Sequence, residues 1–245
     1  MTVQLYLVRH AESTWNAEGR VQGQADPPLN ERGLGQAARL AERFRGEPID
    51  ALYSSPLQRA RQTAERIAEA LALVSRMDDR LKEHDVGLFT GLVWREIVEQ
   101  FPEFSRTWME RAMDMPGGEK QAAFRARAAG VMQDITARHP AGKIVVVSHG
   151  GILGAYLARL LGLDPERQPP FRFDNASVSV VEIGGSLPAL RVHRLNDVSH
   201  LIAPCGNGRR VTGDARPAKS PTEGSGKRSL PSAKAGGRRA GEVDG

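Results

Sequence analysis

Apolar residues recur along this chain in two alternating rhythms. Short runs at Leu5-Tyr6-Leu7-Val8, Ile49 to Tyr53 and Lys143 to Val147 have the character of buried strands. Leu34, Ala37, Ala38, Ala41 and Phe44 instead follow helical spacing, as do Leu57, Ala60, Ala64, Ile67, Ala68 and Leu71. Phe124, Ala128, Val131, Met132 and Ile135 predict a third helix, and Ile152, Ala155, Tyr156 and Leu160 a fourth. Asn30, after Asp26-Pro27-Pro28, marks one helix start. Ser54-Ser55-Pro56 predicts another, with a hydroxyl cap and proline in the first turn. Ser177 to Glu182 and Leu190 to His193 read as two closing strands around a Gly184-Gly185 turn. Val86 to Gly118 is irregular and rich in aromatic residues and methionine. Strands alternating with helices predict an α/β fold: a mostly parallel central sheet with helices on both faces. Ligands of such sheets sit beyond the carboxyl ends of the strands. That rule singles out Arg9-His10, Ser54-Ser55 and Ser148-His149.

Charge divides the chain in two. The 245 residues carry a formal net charge of +5. From Ala203 onward there are nine basic and four acidic residues, so the tail holds the whole excess and residues 1–202 are formally neutral. The tail also has nine glycines, four prolines and no aromatic residue, too little apolar surface to offset the entropy of ordering. The expected organisation is one domain over 1–202 and a disordered basic tail over 203–245. A globally basic nucleic-acid-binding domain is excluded, and only the tail offers nucleic acid a surface. No run of 18 apolar residues exists, so no membrane partner is expected. The N-terminus lacks the basic and apolar regions of a signal peptide. The single cysteine, Cys205, forbids an intrachain disulfide, and a cytoplasmic location is the simplest reading.

Two histidines at two strand ends can meet over one crevice, with Arg9 beside the first. Arg59, in the first turn after the second strand, can swing over the same edge, whereas Arg61 points elsewhere. Guanidinium groups match phosphoryl oxygens through paired, charge-assisted hydrogen bonds, and helix N-termini add backbone donors. The set suits a dianionic phosphoryl group. No metal or other cofactor is expected: the chain has no HxH or HExxH motif and no acidic cluster of the magnesium-binding kind. Glu83-His84-Asp85 is rich in potential ligands, but neighbours on an extended chain point in alternate directions.

Leu7 to Asn16, with Arg9-His10 at its centre, resembles the signature of the histidine phosphatase (phosphoglycerate mutase-like) superfamily. Gln22 to Gly33, Tyr53 to Ala64, Leu81-Lys82-Glu83 with Gly87 and Gly91, Val147 to Gly151, Asn175 to Val178 and Asp197 to His200 resemble its further blocks in order. The resemblance covers residues 3 to 202 and implies a phosphoglycerate mutase-like fold. It implies that His10 is the nucleophile and that Arg9, Arg59 and His149 clamp the phosphoryl oxygens. It further implies that Asn16, Gln22, Gly23 and Gly150 bind the same group and that Glu83 is the proton donor. Glu83 can donate only if desolvation outweighs the nearby cations.

Four positions depart from the family pattern. Ala11 stands where Gly is usual, Thr90 where an acid is, Lys120 where a small hydroxyl residue is, and Gly154 where Arg is common. The Glu83-to-His149 interval lacks the longer basic insertion of the mutase branch, which favours the broad-specificity phosphatase branch. The expected activity is metal-independent hydrolysis of a small-molecule phosphate monoester through a phosphohistidine. Mutase-type phosphoryl transfer and a non-catalytic phosphate-binding module are the alternatives. The substrate and oligomeric state are left open. Phe89 and Trp94 are the candidates to line the site, with the other aromatic residues in the core.

Overall fold

The computed structural model describes residues 1–107, 113–184 and 189–202. The basic tail and Gly185 lie outside them. Six strands form one sheet: β1 (Thr2–Arg9), β2 (Ala51–Ser54), β3 (Ser75–Met77), β4 (Gly142–Ser148), β5 (Val178–Gly184) and β6 (Leu190–Asp197). Their order is β3-β2-β4-β1-β5-β6. The first four in that order pair in parallel, whereas β5 and β6 pair antiparallel. The mostly parallel α/β sheet is therefore as expected. The three-residue β3 leaves no run long enough to read in sequence.

Alternation along the strands assigns side chains to two cores. Leu5, Leu7, Ile144 and Val146 face a core shared with α6 (Gln121–Arg138) and α7 (Gly150–Leu160). Val8, Val145 and Val147 face the opposite core, shared with α2 (Glu31–Phe44) and α3 (Gln58–Leu71). Burial on both faces is why these strands read as unbroken apolar runs. Each fully buried Leu, Val or Phe side chain contributes about 1.5–3 kcal/mol of hydrophobic stabilisation.

Helix starts follow local hydrogen bonding. The Asn30 side chain caps α2 by accepting from the Gly33 N–H at 2.8 Å. Leu34, grouped with the apolar face of that helix by spacing, is instead exposed. The predicted start of α3 also needs correction: the helix begins at Gln58, after Pro56, and its N-cap is Leu57, which has no capping side chain. Asp26, distant in sequence, accepts from the Gln58 N–H. Ser55 Oγ accepts only a long bond from the Leu57 N–H, at 3.3 Å. A long-range carboxylate thus replaces the local hydroxyl cap.

A third cluster lies off the sheet. Val86, Phe89, Ile97, Phe104 and Met115 pack together beside α4 (Trp94–Gln100) and α5 (Pro102–Thr107). Phe89 meets Phe101 and Phe104 edge-on, with centroids 4.8 and 4.5 Å away. The irregular aromatic segment is therefore a small core of its own.

Candidate active site

The order β2-β4-β1 puts three strand ends side by side. Arg9 pairs in register with Ser148, and Ser54 with Val147. Beyond the ladder the His10 N–H bonds to the Ser148 carbonyl at 2.9 Å, and the Ser55 N–H to the Val147 carbonyl at 3.0 Å. These bonds hold the strand ends level at the mouth of a cavity of about 400 Å³. Its lining includes Arg9, His10, Asn16, Gln22, Gly23, Arg59, Glu83 and Gly150. His149 lies deeper and is fully buried, its ring centroid 5.1 Å from that of His10.

The hydrogen bonding of His10 fixes its chemistry. Its Nδ1 lies 2.7 Å from the Ala11 carbonyl, which can only accept, so Nδ1 carries the hydrogen. The lone pair is then on Nε2. Burial, reinforced by Arg9 and Arg59, pushes the imidazole well below its ordinary pKa, so the ring is neutral at neutral pH. Ala11 itself is buried and has no positive φ, so the methyl that departs from the family pattern costs no backbone strain. Its N–H bonds to Thr63 Oγ1 at 3.0 Å, which ties the loop after His10 to α3.

Arg59 is clamped by the loop that crosses it. Its Nη1 donates to the Ala25 carbonyl at 2.7 Å and its Nη2 to the Gly23 carbonyl at 2.8 Å. Gly23 has φ +50° and a side chain there would strike Val86, so the turn that presents this carbonyl needs glycine. Burial lowers Arg59 to about 10, which leaves it charged at neutral pH. Arg9 donates from Nη1 to the Phe173 carbonyl. The Nε–H of both arginines is buried with no partner among the described residues, and so is Nδ1 of His149. Unpaired buried donors each cost about 1–3 kcal/mol, and an anion in the cavity would relieve that cost. Burial and the nearby cations also hold His149 well below its ordinary pKa. Ser55 Oγ lies 2.8 Å from His149 Nε2 and fixes that ring.

Asn16 sits in the single turn α1 (Thr14–Ala17), capped by Ser13. Its Oδ1 accepts from the Ser13 N–H and from Asn175 Nδ2, both at 3.1 Å, which leaves its amide nitrogen to the cavity. Gln22 Oε1 accepts from Ser13 Oγ at 2.8 Å.

Glu83 enters from a loop. Its Oε1 accepts from the His84 N–H at 2.8 Å and its Oε2 from the Gly151 N–H at 2.9 Å, in the first turn of α7. A Cβ on Gly151 would come within 2.2 Å of Oε1, so glycine is what admits the carboxylate. Arg127 holds the loop by donating to the carbonyls of Arg80, Lys82 and Glu83. Glu83, His84 and Asp85 do not converge. His84 stacks on Phe124 and donates to the Glu119 carbonyl, and Asp85 accepts from the Gly87 N–H.

Two expected lining residues are corrected. Phe89 is buried in the aromatic cluster and Trp94 is 45% exposed, and neither borders the cavity. Val21, Val86, Met115, Phe124, Pro169 and Phe171 supply its apolar lining instead. Reading the sequence singled out Ser55 and placed Asn175 in a family block without giving either a role, and it missed Arg127. The first stands at a strand end and carried a signal. The other two act across long sequence separations.

The family model of the histidine phosphatase superfamily (branch 1) matches residues 5–197. The chain belongs to that superfamily. It is 43% identical over 183 residues to phosphoserine phosphatase 1 of Hydrogenobacter thermophilus, covering 74% of this chain and 87% of that protein. It is 37% identical to a metal-independent phosphoserine phosphatase of Arabidopsis thaliana, covering 87% and 90%. It is 36% identical to a probable phosphoglycerate mutase of Citrobacter koseri, covering 82% and 96%. The solved structure of a mycobacterial glucosyl-3-phosphoglycerate phosphatase complexed with vanadate (VO3) aligns with a TM-score of 0.72. That alignment has 32% identity and covers 79% of this chain and 98% of the other.

Proposed function

We propose that this chain hydrolyses phosphate monoesters of small metabolites without a metal, through a phosphorylated His10. It is a phosphomonoester hydrolase of the histidine phosphatase superfamily. The observation that carries the mechanism is a buried, neutral His10 whose Nδ1–H is fixed and whose Nε2 is free, beside two arginines.

Nε2 attacks phosphorus, and the ester oxygen leaves with the bonding pair and takes a proton from Glu83. Arg9, Arg59, His149 and the Asn16 amide stabilise the charge on the transferring group, where positioning and electrostatics supply most of the catalysis. Water then attacks the phosphohistidine and gives its proton to Glu83, which returns His10 and releases phosphate. Gln22 and Gly150 border the group, while Gly23 acts through Arg59.

The relatives named for phosphoserine and glucosyl-3-phosphoglycerate support an acidic phosphorylated metabolite as substrate. Similarity to a probable mutase favours a second reading, phosphoryl transfer between two hydroxyls. We assign the reaction to residues 1–202, since the cavity lining runs from Arg9 to Phe171. A cytoplasmic setting fits a chain whose only cysteine is Cys205.

Phosphate release from a panel of monoesters with chelator present, beside a mutase assay, tests this reading. Hydrolysis should persist with chelator, and His10→Ala should lower kcat by at least about 10³-fold. Full activity in His10→Ala, or transfer without hydrolysis, would overturn it.

A further inference from the structure

We propose that Arg125 is a specificity-determining residue that binds a carboxylate on the alcohol portion of the substrate. The inference rests on the phosphomonoesterase reading and goes on to the chemistry of the leaving group.

The cavity lining holds four arginines, Arg9, Arg20, Arg59 and Arg125, against the single carboxylate of Glu83. Arg9 and Arg59 flank His10 and serve the phosphoryl group. Arg20 is committed elsewhere: Nε pairs with Glu18 at 2.7 Å and Nη1 donates to the Gly91 carbonyl at 2.7 Å. Arg125, one turn after Gln121 on α6, is different. Among the described residues only its Nη2 is engaged, donating to the Arg167 carbonyl at 2.8 Å. Its Nε–H is buried and has no acceptor among the described residues. Burial lowers its pKa, and although Asp164 and Glu166 oppose that effect, neither forms an ion pair with it among the described residues.

Elsewhere the cavity wall is uncharged, with Phe124, Pro169 and Phe171 beside the amides of Gln121 and Gln168, and Gly154 contributes no side chain to it. A neutral alcohol would leave the Arg125 charge partly desolvated and unmatched. A carboxylate on the same small alcohol would satisfy it through charge-assisted hydrogen bonds. One guanidinium suits a carboxylate monoanion better than a second phosphoryl dianion, for which the first site spends two arginines. A site built to bind a polar group discriminates strongly against analogues that lack it.

O-phosphoserine and O-phosphoethanolamine differ only by the carboxylate and make the test. The wild-type chain should favour phosphoserine. Arg125→Met should raise the phosphoserine KM about tenfold to hundredfold, with kcat within about twofold. The same variant should leave kcat/KM for phosphoethanolamine unchanged, and Arg125→Lys should recover part of the loss. Equal losses on both esters would show that Arg125 only pins the Arg167 loop, and would overturn the inference. So would no loss on either, or a wild type that does not discriminate. A wild type inactive on both esters and on p-nitrophenyl phosphate would instead bring down the phosphomonoesterase reading itself.

Discussion

Arg9, His10 and Arg59 stand on strand ends and the first turn of a helix, whereas Glu83 hangs from a loop. In the first group Arg9 and His10 are held by the sheet ladder and by backbone bonds that continue it, and Arg59 by the Gly23 and Ala25 carbonyls. The second depends on single contacts from distant elements: the Gly151 N–H, the Arg127 guanidinium and Ser148 Oγ on the Leu81 carbonyl. In the proposed mechanism the nucleophile and phosphoryl clamp thus form a floor built mainly on the sheet edge, and the proton donor belongs to a wall fixed by side chains. Attack on phosphorus should survive damage to the wall, and protonation of the leaving group should not.

The sharpest test of that division is Glu83→Gln. Turnover of alkyl phosphates should fall about 10²–10⁴-fold, the usual worth of general acid catalysis. A phenolic ester, whose leaving group needs little proton donation, should lose far less in kcat/KM, which reports the phosphorylation step alone. Equal losses in kcat/KM for the two ester classes would break the comparison.

Gly151→Ala should have a smaller effect of the same kind. The new methyl meets the Glu83 carboxylate, so that flexible end moves. Alkyl ester turnover should drop about 10–100-fold, a fraction of the full general-acid contribution. Alanine is the better helix former by about 1 kcal/mol, so the melting temperature should hold or rise. Unchanged turnover would mean that the carboxylate does not need its present position.

The floor contributes to the pH dependence of stability, and His139 and His200, also lowered by burial, add to it in the same window. His10 and His149 are buried with pKa values well below 6.5. Above about pH 6.5 each is neutral in both folded and unfolded chains and costs nothing. Below it the unfolded chain takes up protons that the folded chain refuses. Stability should fall by up to about 1.4 kcal/mol per histidine per pH unit until the folded pKa is reached. Asp197, held down by Arg43, weakens the fold only below its unfolded value near 3.8, a separate window. Urea midpoints that stay flat from pH 7.5 to 5 would contradict neutral burial of the two rings.

The same division explains what could be read in the sequence. The apolar runs of β1 and β4 and the helical faces of α2, α3 and α7 are local patterns, so the sheet and its ligand-binding edge were legible. Arg9, His10, Arg59 and His149 followed from the edge. Glu83 was visible only through family resemblance, because nothing local separates it from a surface carboxylate. Phe89 and Trp94 were misplaced because aromatic composition does not say which cluster a ring joins. Arg127 lies 44 residues from the Glu83 carbonyl it holds, and the Asp26 cap on α3 spans 32. Bonds of that reach leave no periodic trace.

The central claim is that His10 Nε2 takes the phosphoryl group. Rapid quenching during turnover of a slow alkyl phosphate, followed by peptide mass spectrometry under alkaline conditions, tests it most directly. One phosphoryl group should appear on the peptide containing His10, survive base and be lost in acid, and Glu83→Gln should still form it from a phenolic ester. An acid-stable adduct, or an adduct on any other residue, would contradict the account.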